Sequence, residues 1–122
     1  MLNAKLSMQV FGLYLFIIPG LGLMIAPHML LGLFGLSAGD DAWIRMVGLL
    51  ASIIGTYYLL AVRSGVTELF GWSVPIRIYA AAFMILLAVT GVVGAGIVLF
   101  AAIDLLGAYW TWTALRVSTS EY

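Results

Sequence analysis

An aspartate in the middle of an apolar run is the residue of this chain best placed to do chemistry. Asp104 lies within residues 96–116, GIVLFAAIDLLGAYWTWTALR, a stretch long enough to cross a hydrocarbon layer about 30 Å thick. A carboxylate in hydrocarbon costs on the order of several kcal/mol unless it is paired, protonated or turned toward water. Depth selects its partner among the basic residues. With a rise of about 1.5 Å per residue, Asp104 sits roughly 10 Å below one end of its helix and about 18 Å from Arg116. Arg45 stands about 4–5 Å below the same end of the second helix, a height difference of roughly 6 Å that its long side chain covers. Arg77, read as lying one turn inside the third helix, is about 14 Å away in height. The spacing therefore predicts an Arg45–Asp104 ion pair inside the bundle, with Ser52, His28 or turn backbone completing its hydrogen bonds. Such a pair fixes helix order and rotation, or it forms the polar floor of an outward-facing pocket or proton-sensitive site.

A second group of residues suits a ligand of another kind. Tyr57, Tyr58, Tyr109, Trp110, Thr111 and Thr113 are expected to line an aromatic cavity between the second and fourth helices, with Ser52 and Thr56 on the facing stripe. A quinone, sterol or acyl chain fits walls that bury apolar area while a hydroxyl holds the polar end. His28, beside Pro27 near a membrane edge, is a candidate ligand contact or simply a hydrated side chain.

Composition says which elements must position these groups. Of 122 residues, 65% are hydrophobic and 8% charged, more apolar surface than a small soluble globule can hide. The chain reads as all-α: one domain over residues 1–122, an integral membrane four-helix bundle with spans near 6–25, 42–62, 74–91 and 97–116. A short interfacial helix beginning at Pro27 joins the first two spans. Pro19-Gly20 kinks the first span. On it Gln9, Gly12, Phe16 and Gly20 share one face, and on the second span Arg45, Gly48, Ser52, Gly55 and Thr56 form a small or polar stripe. Residues 37–41 form a turn in which Asp40 or Asp41 caps the second span. Residues 64–71 are expected as a loop, with Ser73 capping the third span and Pro75 in its first turn. The glycine-rich link at residues 91–96 lacks the lysine and strand-to-helix setting of a phosphate loop, and reads as a membrane turn. The N-terminal apolar stretch is longer than a signal-peptide core and reads as a retained helix.

The same composition narrows the function classes. A formal net charge of zero and the lack of a basic stripe give no expectation of nucleic acid. The absence of cysteine removes disulfides, thiolate metal sites and thiol redox chemistry. One histidine argues against paired-histidine haem and metal centres, and no cofactor is expected. Lys5, Arg63, Arg77 and Arg116 fall on one side and Arg45 on the other, which places both termini in the cytoplasm. Trp43, Trp72 and Trp112 match interfacial belts.

Trp43-Ile44-Arg45 with Gly48, Tyr57-Tyr58 followed by Ala61-Val62-Arg63, Trp72-Ser73-Val74 followed by Arg77, and Asp104-Leu105-Leu106-Gly107-Ala108 ending in Thr113-Ala114-Leu115-Arg116 together resemble small bacterial four-helix proteins of the DoxX and BphX type. The resemblance implies a bacterial inner-membrane bundle associated with oxidative or catabolic systems, without an established catalytic activity or agreed catalytic residues. The first expectation is a non-catalytic accessory or scaffold protein that holds a lipid-like or quinone-like molecule, as a homo-oligomer or in a membrane complex. A small transporter or channel-like protein using Arg45 and Asp104 is the alternative, as is a quinone-linked oxidoreductase subunit. A nucleophilic hydrolase fits least, since the serines lack a nucleophile motif and His28 is the one available base.

Overall fold

The computed structural model describes residues 4–37 and 39–120, with side chains as far as Arg116; Ala38, in the expected turn, lies outside the described residues. Among the described residues all the elements are helical, and four helices are long and apolar enough to cross a membrane: Ala4–Ile25, Asp41–Ser64, Thr67–Val89 and Ile97–Arg116. The chain is a multi-pass membrane protein. The first span begins and the fourth ends at one end of the bundle, the terminal end; the opposite end is the distal end.

The first span is α-helical over Ala4–Leu15, widens into a π-helical turn over Phe16–Leu21 and closes with Gly22–Ile25. Pro19 sits in the widened turn and has no N–H to give, so the expected kink takes the form of a π-bulge, in which the surrounding residues re-space their bonds. Pro19 and Gly20 are buried by this widening, and Gly20 meets the second span. A Cβ on Gly20 would stand 3.0 Å from Ser52 Cβ; one on Gly48 would stand 2.8 Å from the Gly20 carbonyl; one on Gly55 would stand 2.7 Å from the Gly12 carbonyl. The two small-residue faces read in the sequence are thus one seam, whose helices approach until backbone meets backbone. In lipid this close packing replaces the hydrophobic drive that holds soluble helices together.

Ala26 leaves helical geometry at φ −138° and Pro27 opens the short helix Pro27–Leu33. Its Pro27 and Leu31 are buried, while Met29 and Leu33 face outward. Phe34 then stacks on Phe100 of the fourth span at 4.3 Å between ring centroids. The second span begins where expected: Asp40 accepts from the N–H groups of Ala42 at 2.9 Å and Trp43 at 3.2 Å. Asp40→Ala is expected to lower stability by about 1 kcal/mol, the ordinary cost of losing an N-cap, read as a lower midpoint in thermal unfolding followed by circular dichroism.

The third span departs from the sequence reading. Gly65 takes φ 71°, and the Val66 N–H bonds back to the Ala61 carbonyl, so a two-residue reversal replaces the expected loop. The helix runs Thr67–Val89, starting seven residues earlier than expected. Ser73 does not cap it; the hydroxyl lies inside the helix and donates to the Phe70 carbonyl at 2.7 Å. Pro75 stands in the helix interior near the terminal end, where it has no N–H to give the carbonyl one turn before it.

The first span lies between the second and the fourth, which do not meet each other, and the third packs most extensively on the fourth. Near the terminal end Met8, Phe11, Tyr58, Val62, Phe70 and Ala114 form the core.

Candidate functional site

The longer third span carries Arg77 far from either of its ends. Ten residues separate it from Thr67, which puts it about 15 Å into the helix, and its side chain is only 3% exposed. A buried guanidinium must have each donor met to offset lost hydration. Nη2 donates to Thr111 Oγ1 at 2.8 Å and to Ser73 Oγ at 2.9 Å, and Nε to the Ser73 carbonyl at 3.3 Å. Ser73 is one turn before Arg77 on the same helix, so the side chain folds back along its own span before reaching the fourth.

The hydroxyls behind these contacts form a directed chain. Ser7 donates to the Ala4 carbonyl at 2.8 Å, which uses its one proton, so Thr111 is the donor in the 2.8 Å contact between Thr111 Oγ1 and Ser7 Oγ. Bonds therefore run from Arg77 to Thr111 to Ser7 to backbone, joining the third, fourth and first spans. The Phe11 ring lies over the guanidinium at 4.6 Å and Tyr58 at 5.8 Å, adding cation–π attraction in a water-poor setting. One donor is left over: Arg77 Nη1 is buried and has no hydrogen-bond partner among the described residues. It lies 3.1 Å from the point where a Cβ on Gly107 would stand.

Asp104 is one turn before Gly107 on the same face of the fourth span, toward the distal end. It is half-buried and interacts through space with Arg77, Tyr14 and Tyr58. Its carboxylate makes no hydrogen bond or ion pair among the described residues. It stands in the wall of a cavity of about 240 Å³ in the distal half of the bundle. All four spans contribute to that cavity: Leu15 and Leu23, Val47, Met84 and Phe100 wall it, and Leu31 of the short helix closes one side.

The expected Arg45–Asp104 pair is not formed. Arg45 Nε bonds Asp41 Oδ2 at 3.1 Å, one turn away on its own helix, and Nη1 bonds the Met24 carbonyl at the end of the first span. His28 Nε2 meets Asp41 Oδ1 at 3.0 Å. These groups form an exposed cluster that ties the short helix to the second span at the distal surface. The reason for the error is the start of the third span: seven extra residues lower Arg77 by about 10 Å, bringing it, rather than Arg45, to the depth of the acid.

The chain matches no family model, curated protein or solved structure.

The aromatic residues expected to line a cavity between the second and fourth spans are not brought together, because among the described residues those spans do not pack on each other and both pack on the first. Ser52 is buried in the seam and donates to the Leu49 carbonyl, while Thr56 donates to Ser52, so both hydroxyls are absorbed by their own helix. Tyr57 and Tyr109 face outward. Tyr58 is buried beside Phe11, and Thr111 is fully buried against Arg77. Thr113 bonds back to the Trp110 carbonyl. Trp110 lines a groove between the first and fourth spans. Ser7, Phe11, Ser73 and Arg77, which build the polar centre with Thr111, are not among the site residues the sequence marks. Ser73 and Arg77 at four-residue spacing were a usable signal, masked by assigning Ser73 to a cap.

Proposed function

We propose that this protein is a non-catalytic membrane component that holds a lipid-like molecule by its polar end in the distal cavity. The observation that carries the reading is Asp104, a carboxylate that makes no hydrogen bond among the described residues and stands in a wall that is apolar apart from it and Tyr14. A ligand hydroxyl would supply that donor, and the aliphatic and aromatic walls suit the hydrocarbon next to it. The cavity is small beside typical ligand sites of about 300–1,000 Å³, so it accommodates a head and its first few carbons, with the tail running into the bilayer. Arg77 supports the same role by holding a compensating positive charge nearby.

The likeness to DoxX and BphX proteins belongs with this proposal, as do an inner-membrane location and a scaffold role in a complex or homo-oligomer. Lys5, Arg63 and Arg116 at the terminal end, against Arg45 at the distal end, support cytoplasmic termini. Arg77 no longer enters that count, and the bias survives without it.

Native mass spectrometry of the detergent-purified protein with tetradecanol and tetradecane tests the binding role. Tetradecanol is expected to be retained over tetradecane. Asp104→Asn, which keeps the shape and removes the charge, should weaken tetradecanol by about tenfold or more, the scale of one hydrogen bond to an ionised group, with helicity unchanged. Equal retention of the two compounds, or no effect of the substitution, would overturn the assignment.

A further inference from the structure

A second recess lies on the outside of the bundle, between the first and fourth spans. It has a volume of about 300 Å³ and is lined by Val10, Phe11, Tyr14, Leu106, Gly107 and Trp110, among others. Val10 and Leu106 are exposed, so the recess opens toward the acyl chains. Its walls are almost wholly apolar, yet two buried hydrogen-bond donors belong to side chains in or behind them. Trp110 lines it, and the indole Nε1 is buried with no partner among the described residues. Arg77 Nη1, in the same condition, lies directly behind Gly107. A Cβ on Gly107 would meet Nη1 at 3.1 Å and Phe11 Cδ2 at 2.8 Å, so the glycine lets the guanidinium come up to the fourth span beside the recess, with the Phe11 ring packed against both. Gly107 and Trp110 are three residues apart and share a helix face.

Both orphaned groups are donors, so the missing partner is an acceptor. Each buried donor left without one costs about 1–3 kcal/mol, and one carbonyl oxygen with two lone pairs can accept from both. The acceptor should be neutral. Asp104, one turn from Gly107 on the same helix face, already places one acid here, and a second anion would sit beside it unbalanced. Depth restricts the class further. Arg77 lies about 15 Å into its span, near the middle of the hydrocarbon, whereas phospholipid ester groups stay in the interfacial layer. We propose that this recess binds a neutral lipid without an anchoring headgroup, a long-chain ketone or ester, whose carbonyl oxygen accepts from Arg77 Nη1 and Trp110 Nε1, with Phe11 turning aside to admit it. The site is independent of the distal cavity, where the protein accepts and the ligand donates.

The experiment compares 2-pentadecanone, pentadecane and pentadecanoic acid by native mass spectrometry titration of the detergent-purified protein. The ketone is expected to bind about tenfold more tightly than the alkane, the scale of one or two net hydrogen bonds, and more tightly than the acid. Trp110→Phe keeps the ring and removes the N–H; it should lower ketone affinity about five- to tenfold while leaving the alkane, and tetradecanol at the distal cavity, unchanged. Gly107→Ala should block the ketone alone. Ketone and alkane binding alike, acid binding tightest, or ketone affinity indifferent to Trp110→Phe would each overturn the proposal. Infrared spectra of carbonyl-¹³C ketone on the unaltered protein give a check that needs no variant: a hydrogen-bonded carbonyl absorbs at lower frequency than in detergent alone, and an unshifted band would overturn it.

Discussion

Arg77→Ala is expected to destabilise the bundle by about 3–5 kcal/mol, the range seen when one member of a buried charged network is deleted. Three losses combine. Ser73 and Thr111 each lose the donor that now reaches them at 2.8–2.9 Å, the rings of Phe11 and Tyr58 lose the cation beneath them, and Asp104 is left without a nearby positive charge. Unfolding from mixed micelles into SDS, followed by circular dichroism, reads the change. Arg77→Lys should lie between alanine and the unaltered protein, because an ammonium keeps the charge but cannot copy the guanidinium's fork. Adding Asp104→Asn to Arg77→Ala should recover part of the loss, since the acid then needs no compensation; coupling of about 0.5–3 kcal/mol is the scale for residues sharing a network. Arg45→Ala is the contrast. Its partners lie in an exposed surface cluster, so it should change stability far less. A larger effect at Arg45 than at Arg77 would show that the polar centre has been placed on the wrong residue.

Gly55→Ala should be destabilising by about 1–3 kcal/mol, the cost of overpacking a close contact, although glycine to alanine inside a helix ordinarily gains about 1 kcal/mol. The added methyl would stand 2.7 Å from both the Gly12 carbonyl and the Phe16 N–H nitrogen. Those are backbone atoms of another helix, which cannot step aside as a flexible side chain can. Relief requires the first span to move away from the second, and the Gly20–Ser52 and Gly48–Gly20 contacts along the same seam loosen with it. Gly71→Ala supplies the opposite sign. Gly71 is inside the third span with nothing within 4 Å of its Cβ position, so the propensity gain should appear undiminished. The same SDS unfolding measurement on both variants decides the matter; equal effects would mean that the seam is not tightly packed.

The parts of the fold that were legible share a physical origin in local pattern. Apolar runs of crossing length mark the spans, and Pro27 marks the start of the short helix. Asp40 marks the cap, and Gly12, Gly20, Gly48, Ser52 and Gly55 mark faces that can approach closely. Pro19 announced a disturbance, and only its form, a π-bulge, had to be seen. The start of the third span is not legible locally, because Ser73 followed by Pro75 is a good helix start in isolation. A tighter reversal at Gly65 lets the helix begin at Thr67 instead, which places Ser73 and Pro75 in its interior.

Local pattern thus decided that the chain crosses a membrane four times and which small-residue faces are able to meet. Which charged side chains share a depth, and which helix stands between which others, came only from the packed structure. Helix boundaries shift charge heights by 1.5 Å per residue, and the order of helices around a bundle leaves no periodic trace in any one of them. That is why Asp104 was recognised as a problem for the fold to solve, while Arg77, Thr111, Ser7 and Ser73 emerged as the polar centre only once the spans were set side by side.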